Sequence, residues 1–90
     1  MPGAFEESVG LDVVIDTNTS FVFLGRLEAA TAGALILAGA DAHDAGGGRS
    51  GKEVYIMEAK KLGIRKNRER LRVLKSAVVS VSRLSDVTEY

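Results

Sequence analysis

The run Ser20–Asp41, SFVFLGRLEAATAGALILAGAD, constrains this chain more than any other stretch. Phe21, Phe23, Gly25 and Leu27 fall on one face of Ser20–Ala29, while Arg26 and Glu28 fall on the other. That alternation has the period of a half-buried strand. The small residues Ala30-Thr31-Ala32-Gly33 then permit a tight turn, and the apolar run Ala34–Ala38 reads as the returning strand. Two strands in water are marginal alone, so the flanking segments must supply further strands and a cover. The expected architecture is a small curved sheet.

Upstream, Pro2–Glu7 suits a short helix, with Pro in the first turn and Glu6 and Glu7 at the positive end of the dipole. Gly10 ends it. Leu11–Asp16 reads as a first strand with Leu11, Val13 and Ile15 inward and Asp12, Val14 and Asp16 outward, and Asp16–Ser20 reads as a polar turn. Downstream, Ala42–Gly51 holds no large apolar side chain and reads as a mobile loop. Ser50-Gly51-Lys52-Glu53 matches a capping box. Val54–Leu62 then predicts a helix of about three turns closed at Gly63, with a strand over Glu53–Met57 as the competing reading because Val, Tyr and Ile favour a pleated surface. Ile64–Arg70 is a basic connection. Leu71–Leu74 and Ala77–Val81 read as two final strands, with Leu71, Val73, Val79 and Val81 inward, and Asp86–Tyr90 reads as a frayed tail.

Ninety residues suffice for one domain, taken here as 1–90, with a modest core and apolar surface left for a partner. No apolar run approaches the roughly 20 residues of a membrane span, and MPGAFEES is acidic where a secretory leader is basic. The expectation is a cytoplasmic protein with no membrane contact. With no cysteine, disulfides and thiolate metal sites are excluded. The zero net charge hides an asymmetry: residues 1–50 carry two basic and seven acidic groups, and residues 51–90 carry ten basic and five acidic. Part of the folded surface is therefore expected to be cationic.

The main polar concentration is Lys60, Lys61, Arg65, Lys66, Arg68, Arg70, Arg72 and Lys75, eight cations in sixteen residues with Glu69 among them. Such a run either neutralises phosphates of a nucleic acid or forms a solvated face paired with the acidic half of the same or a neighbouring subunit. No aromatic residue is interleaved to stack on bases, and only Tyr55 is near. Asp41-Ala42-His43-Asp44 places two carboxylates beside the one histidine, but a zinc centre needs three or four firmly held ligands, so the expected reading is a polar loop start and no metal. Gly46–Gly51 before a helix resembles a phosphate cradle only loosely, because Gly51-Lys52 is followed by Glu53 rather than Ser or Thr. Asn67–Arg70 either contacts an acidic partner or closes the turn before the fourth strand. No serine has an evident base and orienting acid in sequence, so the chain reads as a non-enzyme without cofactor or small-molecule substrate.

Phe23-Leu24-Gly25-Arg26-Leu27, followed by Leu35-Ile36-Leu37 and the acidic Asp41, resembles the first motif of the Sm-like family. Leu74-Lys75-Ser76 with Val78-Val79-Ser80-Val81 is similar to its second. The resemblance covers roughly residues 3–83. It implies a mainly β fold: a small five-stranded SH3-like barrel with a short N-terminal helix and, in this chain, an inserted helix near 51–62. It also implies a ring of identical subunits, with Leu71–Lys75 of one beside Ala77–Val81 of the next, since short edge strands leave N–H and C=O groups unpaired. In RNA-binding members an Asp-x-x-x-Asn bend and an Arg-Gly step build a nucleotide pocket. Here Thr31 stands for the Asp, Ala34 falls nearest the Asn, and Lys75-Ser76 replaces Arg-Gly, removing a paired amide and a planar fork. The resemblance implies a non-catalytic ring subunit binding RNA or another polyanion through the Lys60–Lys75 region. A ring-forming protein-interaction module without nucleic acid is the alternative, and a metal-dependent hydrolase at Asp41, His43 and Asp44 stands behind both.

Overall fold

The computed structural model describes residues 5–46 and 49–88. Five antiparallel strands form one sheet: β1 (Asp12–Thr17), β2 (Phe21–Ala30), β3 (Ala34–Asp44), β4 (Arg68–Leu74) and β5 (Val78–Arg83), in the order β4-β3-β2-β1-β5. A helix, α1 (Arg49–Leu62), joins β3 to β4, and a single 3-10 turn at Lys75–Ala77 joins β4 to β5. Further 3-10 turns lie at Glu6–Ser8 and Leu84–Asp86. The expected N-terminal helix is thus a 3-10 turn as far as it is described, and Met1–Ala4 lie outside the described residues.

The strands expected at the start hold within a residue or two, and the third runs further. Gly39, at φ +55°, inserts an extra residue opposite Gly25, where the pairing passes from Leu24↔Asp41 to Arg26↔Ala38. This bulge lets β3 continue to Asp44, which pairs with Phe21. Ala42–Asp44 are therefore strand rather than mobile loop, because β2 offers backbone partners along its full length. A Cβ at Gly25 would come within 3.1 Å of Ala40 Cα and 3.2 Å of Ala38 O, so the close approach of backbone at the bend favours glycine there. On the other edge, β4 starts at Arg68, inside the stretch expected to be a connection, because β3 also presents Ala38 and Ala40 for pairing.

The sheet buries both faces along β1 and β2. Its concave side encloses Val13, Ile15, Leu27, Leu35, Leu37, Ala40 and Val73, joined by Phe23, Leu71, Val78 and Val81. Its other side holds Val14, Val22 and Leu24 under Ala59, Tyr55 and Ile56 of α1 and under Leu84 and Val87 of the tail. The expectation of a half-buried sheet with Val14 outward is corrected by this second layer. The tail is likewise packed at Val87 rather than frayed as far as it is described, and Glu89 and Tyr90 lie outside the described residues. Val81 packs inward as expected, but Val79 is 65% exposed, because a register irregularity where β5 meets Asp16 and Thr17 turns Val78 to the core in its place. Phe21 and Leu11 are exposed at the sheet's margins.

The helix reading prevails over the strand reading at Glu53–Met57. α1 spans 14 residues and begins ahead of the capping-box serine, whose side chain lies outside the described residues. It closes where expected, with Gly63 at φ +91° donating its N–H to Ala59 O at 2.9 Å. A Cβ on Gly51 would lie 2.5 Å from Ala45 O, so glycine lets the first turn of α1 press on the chain leaving β3.

Candidate functional site

Three zones bear on function, and the sequence-predicted cations are distributed among them. The first is the end of the sheet where the β2–β3 and β4–β5 turns meet. Thr31 closes the former: its N–H donates to Ala34 O at 2.8 Å, and its Oγ1 accepts from Ala34 N at 3.1 Å. The second turn is tied to it by Lys75 N–H donating to Gly33 O at 2.9 Å. Lys75 Nζ lies 5.2 Å from the centre of the Phe5 ring, a cation–π distance. Leu74 is 62% exposed beside it.

The second zone is the outer side of the edge strand β4. Arg68, Arg70 and Arg72 alternate with Glu69, Leu71 and Val73, so the three guanidinium groups share one side at a spacing of about 6.7 Å per pair of residues. Arg70 makes a two-pronged pair with Glu28, Nε to Oε2 at 3.0 Å and Nη2 to Oε1 at 3.1 Å. This hydrogen bonding lowers the Glu28 carboxyl below its ordinary range and raises the Arg70 guanidinium above its own. Arg68 donates to Asn67 O, and all three arginines are exposed.

The third zone surrounds the carboxyl end of α1. Lys60 donates to Ser85 O at 2.8 Å, Lys66 pairs with Glu69 at 3.0 Å, and Lys61 and Arg65 are exposed. Between α1, the far half of β3 and the link into β4 lies a cleft of about 400 Å³ lined by Asp41, His43, Tyr55, Glu58, Arg65 and Lys66 among others. The Tyr55 hydroxyl donates to Asp41 Oδ2, and the His43 and Tyr55 rings stack at 3.8 Å between centres, 6° from parallel. Burial, and then the Asp41 carboxylate, push the Tyr55 phenol well above its usual range, so it stays a donor.

The cationic run is divided among the three zones: Lys75 serves the first, the three arginines the second, and Lys60, Lys61, Arg65 and Lys66 the third, with Lys66 also lining a groove shared with Arg70 that joins the second zone to the third. The acidic triplet is also divided by use. Asp41 accepts from Tyr55, His43 stacks, and Asp44 Oδ1 accepts from Gly46 N at 3.0 Å. Hydrogen bonds from Ser20 and then Gly46, with the His43 charge, hold the Asp44 carboxyl below its ordinary range. Among the described residues no group of three or more His, Cys, Asp or Glu side chains converges as a metal site does.

Two polar residues hold this geometry, one in a role the sequence did not suggest and one in the turn-closing role it offered as an alternative. Lys52, considered only as the end of a loose phosphate cradle, directs its Nζ at Asp16 Oδ1, Thr17 O and Thr19 O at 2.7, 3.1 and 2.7 Å. All three ammonium protons are thereby engaged in pinning α1 to the β1–β2 turn. Asn67 closes the turn before β4: its Oδ1 accepts from Ala42 N at 3.0 Å, and its Nδ2 donates to Ala42 O at 3.1 Å. The amide acts as one more rung of the ladder. Tyr55 carried a signal, since the strand parity of Asp41 and His43 puts both on the side that an amphipathic helix must cover.

With strand order and turns in place, comparison with known proteins becomes informative. No family model matches the chain, and no curated protein matches it in sequence. Among solved structures it is similar to that of the Pyrococcus abyssii Sm protein in complex with a uridine heptamer. The match has a TM-score of 0.60 at 18% identity and covers 88% of this chain and 90% of that one. The fold is Sm-like. The edge strands β4 and β5 pair, among the described residues, only with β3 and β1. No described helix is long and apolar enough to cross a membrane.

Proposed function

We propose that residues 1–90 form one non-catalytic Sm-like subunit that assembles with copies of itself through β4 and β5 and binds RNA. The observation that carries this reading is the strand order, β4-β3-β2-β1-β5, in a fold shared with an Sm protein solved in complex with a uridine heptamer. Two open antiparallel edges on one bent sheet leave unpaired N–H and C=O groups that a neighbouring copy satisfies. Leu74 and Val79, both more than 60% exposed beside those edges, lose apolar surface to water until such a neighbour covers them. The RNA contacts of this reading are Lys60, Lys61, Arg65, Lys66, Arg68, Arg70, Arg72 and Lys75, acting as phosphate partners on several faces of the assembly. The subunit works in the cytoplasm in this reading.

A second reading, an assembling protein-interaction module without RNA affinity, has its own support. Thr31 already uses its hydroxyl and N–H on Ala34, and Lys75 lies over Phe5, so the turns that would take a nucleotide are internally satisfied. Two measurements separate the readings. Light scattering at micromolar concentration is expected to give a closed oligomer, and a monomer mass overturns both. A uridine heptamer is then titrated at about 50 and about 200 mM salt, where phosphate contacts are least and most screened. Binding that weakens with salt supports the first reading, and its absence at low salt leaves the second.

A further inference from the structure

The cleft beside the end of α1 lies away from the β2–β3 and β4–β5 turns and has a chemistry of its own. Asp41, 8% exposed, lines it with Oδ2 holding the Tyr55 hydroxyl and Oδ1 without a hydrogen-bond partner among the described residues. The stacked rings of His43 and Tyr55 line it too. Its charges cancel, with Asp41 and Glu58 against Arg65 and Lys66, and Lys66 is already paired with Glu69. The carboxyl end of α1 adds a partial negative charge. An anion alone finds little net attraction there. What the cleft offers is flat aromatic surface, a sheltered acceptor and about 400 Å³, a volume within the range of small-ligand pockets.

We propose that this cleft takes a guanine base of a single-stranded RNA, with Asp41 accepting from the base edge and the His43–Tyr55 pair supplying the stacking surface. The inference rests on the RNA-binding reading above. A carboxylate only accepts, so it selects a base edge that presents donors side by side. Guanine has two adjacent donors, N1–H and the N2 amino group. Adenine sets its amino group between two acceptor nitrogens and uracil sets one N–H between two carbonyls, so the carboxylate meets a repelling lone pair; cytosine donates singly from the C5 side of its amino group, one hydrogen bond fewer than guanine. Aromatic surface contributes to binding any base, whereas the acceptor discriminates among them. Arg65, exposed and without an ion-pair partner among the described residues, is left for the adjoining phosphate.

The test is titration of the full chain with GMP, AMP, CMP and UMP, alongside the uridine heptamer. GMP is expected to bind at least about tenfold more tightly than the other three, the scale of one charge-assisted hydrogen bond. Asp41→Asn, which keeps the shape but adds a donor, removes the preference. Tyr55→Phe keeps it, because the ring and both carboxylate oxygens remain. His43→Ala weakens all four nucleotides without changing their order, and thermal melts confirm that each variant is folded. Equal affinities for the four nucleotides, or a preference for GMP that survives Asp41→Asn in a folded protein, overturn the inference. If the heptamer binds while the nucleotides are not distinguished, only the guanine site fails. If neither the heptamer nor any nucleotide binds, the RNA reading fails with it.

Discussion

The two faces of the sheet are built differently. The concave face is apolar throughout, with Ile15, Leu27, Leu35 and Leu37 fully buried, Phe23 at its margin and no charged group in the cluster. The outer face has a smaller apolar patch, Val14, Val22 and Leu24 under Ala59, fastened by polar pins: Lys52 to the β1–β2 turn and Tyr55 to Asp41. An apolar core tolerates no gap but specifies little beyond shape. Buried polar contacts add few kcal/mol, yet they work only in one geometry. The concave face thus accounts for most of the stability, and the outer face sets where α1 sits and so shapes the cleft.

Truncation on the two faces separates them most sharply. Leu37→Ala is expected to cost about 3–5 kcal/mol in denaturant unfolding, because β2, β3 and β4 enclose the void and cannot collapse into it. Leu24→Ala, equally buried, is expected to cost about 2–3 kcal/mol, since α1 can settle toward the gap. Equal losses at the two sites break the comparison and make the helix part of one rigid core.

Removing a pin comes next. Lys52→Met leaves Asp16 and two carbonyls without their donor, an expected loss of about 1–3 kcal/mol. Amide exchange should quicken in α1 and remain slow in β2 and β3. Gly51→Ala tests the same junction by sign: in an ordinary helix interior alanine gains about 0.5–1 kcal/mol over glycine. Here the added methyl meets Ala45 O at 2.5 Å, so a loss of about 1–3 kcal/mol is expected instead.

The Tyr55 phenol gives a pH signature. Its folded pKa is raised above the ordinary 10.0, chiefly by burial, so the unfolded chain loses this proton first as pH rises. Stability from Tyr55 is full below pH 10 and declines above it. Tyr55→Phe is expected to flatten that alkaline decline in melts run from pH 8 to 11. The smallest effect belongs to Arg70→Gln: the pair with Glu28 is exposed and screened, and the melting temperature is expected to stay essentially unchanged.

Much of the fold was legible because its signals are local. Alternation marked β1 and β2, the small residues of Ala30–Gly33 marked the turn, and Gly63 marked the end of α1. The error at Ala42–Asp44 has a specific origin: a glycine-rich context hides a strand that exists only because β2 runs alongside it. Val79 was misassigned because a one-residue irregularity in pairing reverses side-chain parity, and nothing within VVSVS records where that irregularity falls. The cleft was least legible. Asp41 and Tyr55 are fourteen positions apart, and Asp41-Ala42-His43-Asp44 reads in sequence as a polar loop start rather than as one side of a strand beneath a helix.

By itself the sequence determined the number and order of the strands, the helix after β3 and the absence of any cysteine chemistry. Pleat, helical period and cap geometry act over a few neighbouring residues and leave their pattern in composition. Only the tertiary structure decided that the sheet is buried on both sides, that Lys52 is a pin rather than a phosphate ligand, and that the eight cations are divided among three zones. Those outcomes depend on the bulge at Gly39 and on the docking of α1, where contacts between residues distant in the chain outweigh local preference.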